Sequence, residues 1–415
     1  MPLSFARGAC SALLLSLAAC TTRSAFTQAP APSPHPVLLI SIDGLRADYL
    51  ELGLTPVLSR MAREGVRAQW LIPSYPSLTF PNHYTLVTGL RPDRHGIVHN
   101  TMRDEALGGF KLSDRDAVGN GAWWGGEPLW VTAEKVGLPT ATLSWPGSEA
   151  PIGGVQPTRW QPFDGDLPYN ARVDQVVGWM AEAEGTRPRL ATLYFEDLDE
   201  ESHSFGPDSQ QARHALAEAD AAIGRLLQGL EARGVLDEVN IVLVSDHGMA
   251  PVPPDQYVAV EDMVDPADAQ NITAGQSVGF APLAGRTQAA EAQLLGRHDH
   301  YECWRKSELP ARWHYGKHPR VPPIVCQMDV GWDALRQATL DKYPRTTTRG
   351  SHGFDPLSEE MRTIFIARGP AFRSGLVLPP LDNVDVYPLL ARLLGVTPLD
   401  NDGNPQTLLP ALKAP

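Results

Sequence analysis

Positive charge is in short supply in this chain: 35 Lys and Arg stand against 48 Asp and Glu, a formal net charge of -13. That balance excludes a broad basic surface of the kind that holds a nucleic-acid duplex by its phosphates. Anionic small molecules stay open, because carboxylates gathered around divalent cations invert the local field. Cysteine is scarce, with four residues in 415, at positions 10, 20, 303 and 326. The apolar run near the start of the chain falls short of the about 20 residues that a membrane-spanning helix needs. No internal repeat is present, and the only low-complexity tract is the Ser/Thr/Ala/Pro-rich stretch from Thr21 to Pro36. Disorder is excluded for the body by an ordinary 43% apolar and 20% charged content, enough to bury a core.

The first residues, MPLSFARGACSALLLSLAAC, pair one early Arg with a short apolar run. Residues 1–19 are read as a secretory signal. The ending Leu17-Ala18-Ala19-Cys20 resembles a bacterial lipobox, in which Cys20 is lipidated; a plain signal cut nearby is the alternative. Residues 20–36 follow as a flexible tether. Export places the chain in an oxidising compartment, where Cys303 and Cys326 either pair as a disulfide or remain free buried thiols. Residues 37–415 are long enough for one large α/β domain with an insertion, or for two domains.

Four segments concentrate metal-binding side chains. VLLISID, residues 37–43, is an apolar run ending in Asp43, as a buried parallel strand reads when it delivers a carboxylate at its C-terminal end. Asp43 is a metal ligand or the cap of a following helix. VNIVLVSDHGMA, residues 239–250, repeats the pattern with Asp246 and His247, which offer an oxygen and an imidazole nitrogen to a divalent cation. LATLYF, residues 190–195, leads into an acidic stretch where Asp199 and His203 are spaced i, i+4 and share one face of a helical turn; a solvated acidic loop is the competing reading. His352 lies between Gly350-Ser351 and Gly353, in a loop able to pass close to a bound ion. Together these supply three Asp and three His. With Thr79 they make the inventory for two bridged ions, zinc rather than magnesium because imidazole contributes so heavily.

Thr79 itself lies in PSYPSLTFPNHYTLVTGL, where prolines at 73, 76 and 81 restrict the backbone on both sides. The pattern places it in a braced loop just before a helix over residues 83–90. A hydroxyl there faces N–H groups that favour an anion, which suits a nucleophile for phosphate chemistry. An ordinary loop capping a helix is the bland alternative.

Six strings now stand in order: DGLR at 43–46, TFPNHYTLVTGLRPDRHGIVHN at 79–100, WPGSEA at 145–150, DEESHSFGPDS at 199–209, SDHGM at 245–249 and GSHGF at 350–354. In them the chain resembles the nucleotide pyrophosphatase/phosphodiesterase family of the alkaline phosphatase superfamily, in its compact bacterial form. The resemblance implies an α/β fold with an alkaline-phosphatase-like central, mostly parallel sheet flanked by helices. It also implies an inserted subregion, about 254–345, beside the metal site. Asp199, His203 and His352 are implied to hold one zinc; Asp43, Thr79, Asp246 and His247 the other. Asn100 is implied to donate to a phosphoryl oxygen, and Phe80, Phe163 and Tyr194 to line the pocket for the base. A sulfatase would need a Cys or Ser in a C/S-x-P-x-R context, and no such string occurs.

The expected activity is hydrolysis of nucleotide diesters and pyrophosphates to nucleoside 5'-monophosphates through a phospho-threonine intermediate. Two readings compete: a phosphodiesterase for choline-type lipid head groups, and an envelope protein that binds zinc or a nucleotide without turnover. The expected partner is a small nucleotide, with the membrane met only through the N-terminal lipid. The expected state is a monomer in the periplasm or anchored to the outer membrane. HDHYECW, residues 298–304, imitates a ligand set but is read as exposed loop, and Asp382 and Asp385 are read as helix caps.

Overall fold

The computed structural model describes residues 1–2, 35–342 and 346–414. The signal, Cys20 and the tether up to residue 34 lie outside the described residues. An eight-stranded sheet forms the centre. Its strands in chain order are β1 (Val37–Ile42), β2 (Val66–Ala68), β3 (Thr140–Leu143), β4 (Arg159–Gln161), β5 (Leu190–Phe195), β6 (Asn240–Val244), β7 (Phe365–Arg368) and β8 (Leu376–Leu378), arranged β8-β2-β7-β6-β1-β5-β3-β4. Every adjacent pair is parallel except those of β7, which runs antiparallel to both β2 and β6.

The apolar runs read from the sequence become strands because both faces of the sheet are covered. In β1, Leu38, Ile40 and Ile42 point to one side and Val37 and Leu39 to the other, so no polar alternation is needed. One side packs helices α1 (Pro56–Glu64), α4 (Tyr169–Met180) and α6 (Gln210–Ala232); the other packs α2 (Thr79–Thr88), α3 (Leu129–Lys135) and α7 (Val386–Leu394). Helix α6 starts at Ser209, whose hydroxyl accepts from the Ala212 N–H, a side-chain N-cap. α5 (Asp197–Phe205) follows directly on β5.

Among the described residues of 254–345, none joins the main sheet. They build a five-stranded antiparallel sheet from Ala269–Thr273, Ser277–Pro282, Ile324–Met328, Tyr301–Arg305 and Gly296–Arg297, with an apolar cluster that runs through Phe280 and Met328 to Phe354. Cys303 and Cys326 face each other on adjacent strands and are joined as a disulfide. His300 stacks on Trp332 and His298 on Tyr301 within this region.

Two expectations are corrected here. The helix read over residues 83–90 begins four residues earlier, at Thr79, so Thr79 is its first residue rather than part of a preceding loop. Pro81 is tolerated because a first-turn residue has no intrahelical partner for its missing N–H. Asp382 and Asp385 do occupy the N-cap positions of a short turn, Asn383–Asp385, and of α7, but neither side chain accepts from its helix: Asp385 accepts from the Asn404 N–H at 2.7 Å, and Asp382 pairs with Arg91 at 2.8 Å. Among the described residues, no helix is long and apolar enough to cross a membrane.

Candidate active site

Adjacent strands β6, β1 and β5 end on the same edge of the sheet, and each end delivers chemistry. Asp43 follows β1, Asp246 and His247 follow β6, and α5 after β5 carries Asp199 and His203 one turn apart. This is the edge where open parallel sheets gather ligands. His352 arrives from a short strand, Arg349–Ser351, paired antiparallel to Ala250–Val252 just beyond His247. Helix α2 points its first residue, Thr79, into the same place.

Around His247 Nε2 stand Asp246 Oδ2 at 3.0 Å, Asp43 Oδ1 at 3.2 Å and Thr79 Oγ1 at 3.2 Å. A tetrahedral ion with ligands at about 2.0 Å has donor-to-donor edges of about 3.3 Å, so these spacings match one coordination sphere. In the second group, His203 Nε2 lies 3.4 Å from Asp199 Oδ2 and His352 Nε2 3.7 Å from Asp199 Oδ1. The two groups of three, Asp43/Asp246/His247 and Asp199/His203/His352, are contiguous: the His247 and His352 rings stack at 3.5 Å.

Two further observations test whether these residues fit metal ions. Asp43 Oδ1, Asp246 Oδ2 and Asp199 Oδ1 are buried carboxylate oxygens with no hydrogen-bond donor, a costly state unless a cation is close. All three imidazoles also direct Nδ1 at a backbone carbonyl 2.9 Å away: His203 at Gly350, His247 at Gly248 and His352 at Ser77. A carbonyl only accepts, so Nδ1 carries the hydrogen and each neutral ring turns an Nε2 lone pair toward the carboxylates. The residues fit two divalent ions, and imidazole-rich sets of this kind favour zinc.

Electrostatics agree. Burial, then the charges of Asp246 and Asp199, push the Asp43 carboxyl well above the usual range. Burial also resists ionisation of Asp246, but His247 and His83 outweigh it and hold that carboxyl well below the usual range. Burial favours neutral His247, yet Asp246 raises it; burial, with His247 and His203 beside it, drives His352 well down. Asp43 and His247 are both shifted toward their protonated forms while metal is absent, so metal uptake is expected to release protons.

Asn100 Oδ1 accepts the Phe80 N–H at 2.9 Å. That bond fixes the amide orientation and leaves Nδ2 as a donor beside Thr79. A cleft of about 420 Å³ opens over the metal ligands, with Phe80, Asn100, Trp145, Phe163 and Tyr194 among its walls. Tyr194 lines it, and its hydroxyl also donates to Asp43 Oδ2 at 2.5 Å, so it orients that carboxylate as well as forming wall. Phe163 stands 6.2 Å from the Tyr194 ring.

Sequence reasoning passed over His83. It sits fully buried one turn after Thr79, with Nδ1 at 2.9 Å from the Thr79 carbonyl and 3.3 Å from Asp246 Oδ2, and Nε2 at 2.8 Å from Ser41 Oγ. Its i, i+4 spacing from Thr79 was the available signal. The reason given for the glycines around His352 also changes. A Cβ on Gly350 would stand 2.4 Å from the Ser202 carbonyl oxygen, so Gly350 lets the loop press against α5 rather than against an ion. Gly350→Ala is expected to cost about 2–3 kcal/mol of stability through that clash. Because it displaces the His203 acceptor, it also weakens metal at the second group by about 10- to 100-fold. Urea titration and competitive chelation check the two effects separately.

Comparison with known proteins places the chain. The sequence model of the family described as type I phosphodiesterase / nucleotide pyrophosphatase matches residues 37–355. An uncharacterized pyrophosphatase/phosphodiesterase of Schizosaccharomyces pombe is 35% identical over 388 residues, 90% of this chain and 80% of that protein. Human ectonucleotide pyrophosphatase/phosphodiesterase family member 1 is 33% identical over 392 residues, covering 92% of this chain. The match spans 42% of the human protein's length. Among solved structures, murine ectonucleotide pyrophosphatase/phosphodiesterase 5, as an inactive threonine-to-alanine variant in complex with AMP, superimposes with a TM-score of 0.86 at 30% identity. That superposition covers 91% of this chain and 100% of the murine one.

Proposed function

The chain belongs to the type I phosphodiesterase/nucleotide pyrophosphatase family, and from that premise we propose that it is a secreted, zinc-dependent hydrolase of nucleotide diesters and pyrophosphates. Its product is a nucleoside 5'-monophosphate, released through a phospho-threonine intermediate. The observation that carries the reading is Thr79 Oγ1, 3.2 Å from His247 Nε2 within a metal-ligand set. Asp43, Asp246 and His247 already make a ligand set without it, so the hydroxyl adds an attacking atom that a protein binding zinc or nucleotide without turnover does not need.

Asp43, Asp246, His247 and Thr79 would hold one zinc, and Asp199, His203 and His352 the other. When bound, zinc supplies Lewis acidity that favours an ionised hydroxyl and offsets charge on phosphoryl oxygens. Thr79 Oγ then forms a bond to phosphorus as the bond to the leaving oxygen breaks in line, and water later cleaves the threonyl ester. Asn100 Nδ2 donates to a non-bridging oxygen, and the positive end of α2 faces the same charge. Phe80, Phe163 and Tyr194 offer apolar ring surface for a base. The murine relative that carries AMP is inactive as a threonine-to-alanine variant, which supports both the ligand class and the nucleophile.

For the choline reading, an aromatic wall needs free carboxylates to cage a quaternary ammonium. Two carboxylates of the cleft, Glu149 and Glu196, are each committed to an arginine, Arg115 and Arg172, while Glu200 on the same wall is in no ion pair among the described residues, so the choline ester is kept as a competing substrate in the test. The ectoenzyme name of the human relative supports export, here through a signal over 1–19, and the motif ending at Cys20 supports a lipid anchor, in the periplasm or at the outer membrane. The catalytic domain, 37–415, is proposed to work as a monomer.

The test is hydrolysis of p-nitrophenyl-TMP, p-nitrophenyl phosphate, p-nitrophenyl phosphorylcholine and ATP with and without chelator. Fast, chelator-sensitive cleavage of the thymidylate ester and release of AMP from ATP are expected. Preference for the choline ester or the monoester overturns the substrate assignment.

A further inference from the structure

Behind the cleft wall lies a buried charge pair with no part in the steps above. Arg172, on α4, is 1% exposed and Glu196, just after β5, is 4% exposed. The arginine uses all five of its N–H donors. Two go to the Glu196 carboxylate, at 2.5 and 2.6 Å. The other three go to backbone carbonyls: Leu167 at 2.8 Å, Asp164 at 3.1 Å and Tyr194 at 3.0 Å.

Those three carbonyls belong to two separate parts of the cleft wall. Asp164 and Leu167 belong to the irregular segment 162–168 that carries Phe163, while Tyr194 is the last-but-one residue of β5 and the partner of Asp43. Inside the segment the bonds are one turn, Leu167 N–H to Asp164 O at 3.2 Å, and Asp166 N–H to the Asp164 carboxylate at 3.0 Å. The Arg172 fork is therefore what ties the segment to the strand that presents Tyr194, with a weaker contact from Ser144 Oγ to the Pro162 carbonyl at 3.4 Å. A buried pair of this kind is poor evidence for stability, since apolar replacements are often neutral or stabilising. Its value lies in fixing geometry, and a planar five-donor fork does so where an ammonium with three donors cannot.

We infer that Arg172 is a positioning residue for substrate selection: it fixes Phe163 against Tyr194, whose rings stand 6.2 Å apart and tilted by 57°, and thereby the apolar wall that a flat heterocycle packs on. The inference rests on the nucleotide reading of this site. It concerns affinity for the ring-bearing side of the substrate and leaves the reacting phosphoryl group to Thr79, Asn100 and the metal ligands.

The experiment compares p-nitrophenyl-TMP with methyl p-nitrophenyl phosphate, which has the same leaving group and no base, using the zinc-loaded protein. In Arg172→Lys the KM for the thymidylate ester is expected to rise about tenfold with kcat within about twofold. The ratio of kcat/KM on the two diesters then falls about tenfold, and a general loss of active enzyme cancels from that ratio. In a Phe163→Ala background the same change is expected to move the ratio by less than about twofold, because both act through one ring. Should Arg172→Lys fail to fold, the apolar pair Arg172→Met with Glu196→Leu is read by the same ratio. An unchanged ratio in these variants, or a drop as large in the Phe163→Ala background as in the wild type, overturns the inference. Equal kcat/KM on the two diesters in the wild-type protein is a different result: it removes the nucleotide reading itself.

Discussion

Thr79→Ala is expected to lose turnover by about 10,000-fold or more while retaining metal at both groups, the scale seen when a covalent nucleophile is removed from an otherwise intact site. The reasons are local. The side chain contributes one oxygen to a sphere that still has Asp43, Asp246 and His247 at 3.0–3.2 Å spacings, and the helix that carries it is buried along its whole length. Removing the hydroxyl therefore deletes the attacking atom without disturbing what surrounds it. Metal analysis after dialysis and steady-state kinetics on p-nitrophenyl-TMP measure the two halves of the statement independently. Full turnover in Thr79→Ala contradicts the nucleophile assignment; loss of metal along with turnover shows instead that Thr79 is needed to hold the ion.

Stripping the metal is expected to lower Tm by about 10 °C, given two tightly held ligands that bind only the folded chain. The buried carboxylates are the source of the effect. Without cations, Asp43, Asp246 and Asp199 face one another with orphaned oxygens, and Asp43 is driven to take up a proton. Differential scanning fluorimetry before and after chelation gives the shift, and adding back two equivalents of zinc restores it. Re-addition in unbuffered solution releases protons as the metal displaces them from Asp43 and His247. Magnesium is expected to restore little, because imidazole nitrogens supply half of the non-hydroxyl ligands. An apo protein with unchanged Tm contradicts the metal assignment.

The strand ends were legible in the sequence because β1, β5 and β6 are buried on both faces. Such strands read as unbroken apolar runs, and their last residues fall on the edge where ligands collect. Asp199 and His203 were legible through i, i+4 spacing, despite an acidic neighbourhood that also fits a solvated loop. The start of α2 was not. All ten of its residues are buried, so it has no polar stripe, and Pro76 and Pro81 bracket Thr79 with loop signals; periodicity could not find a helix without an amphipathic face. The second role of Tyr194, as a donor to Asp43, depends on pairing between β1 and β5 that no local pattern encodes. Arg172 was equally invisible, since RVDQVVGW reads as an ordinary half-exposed helix. Its importance comes from carbonyls 5, 8 and 22 residues away in sequence.

The proposed reaction consists of two successive displacements at one phosphorus, first by Thr79 and then by water. Each in-line displacement inverts configuration, so hydrolysis of a diester made chiral at phosphorus by isotopic oxygen and sulfur reports their number directly. Net retention is expected; net inversion, the signature of water attacking the substrate in a single step, would contradict the covalent intermediate.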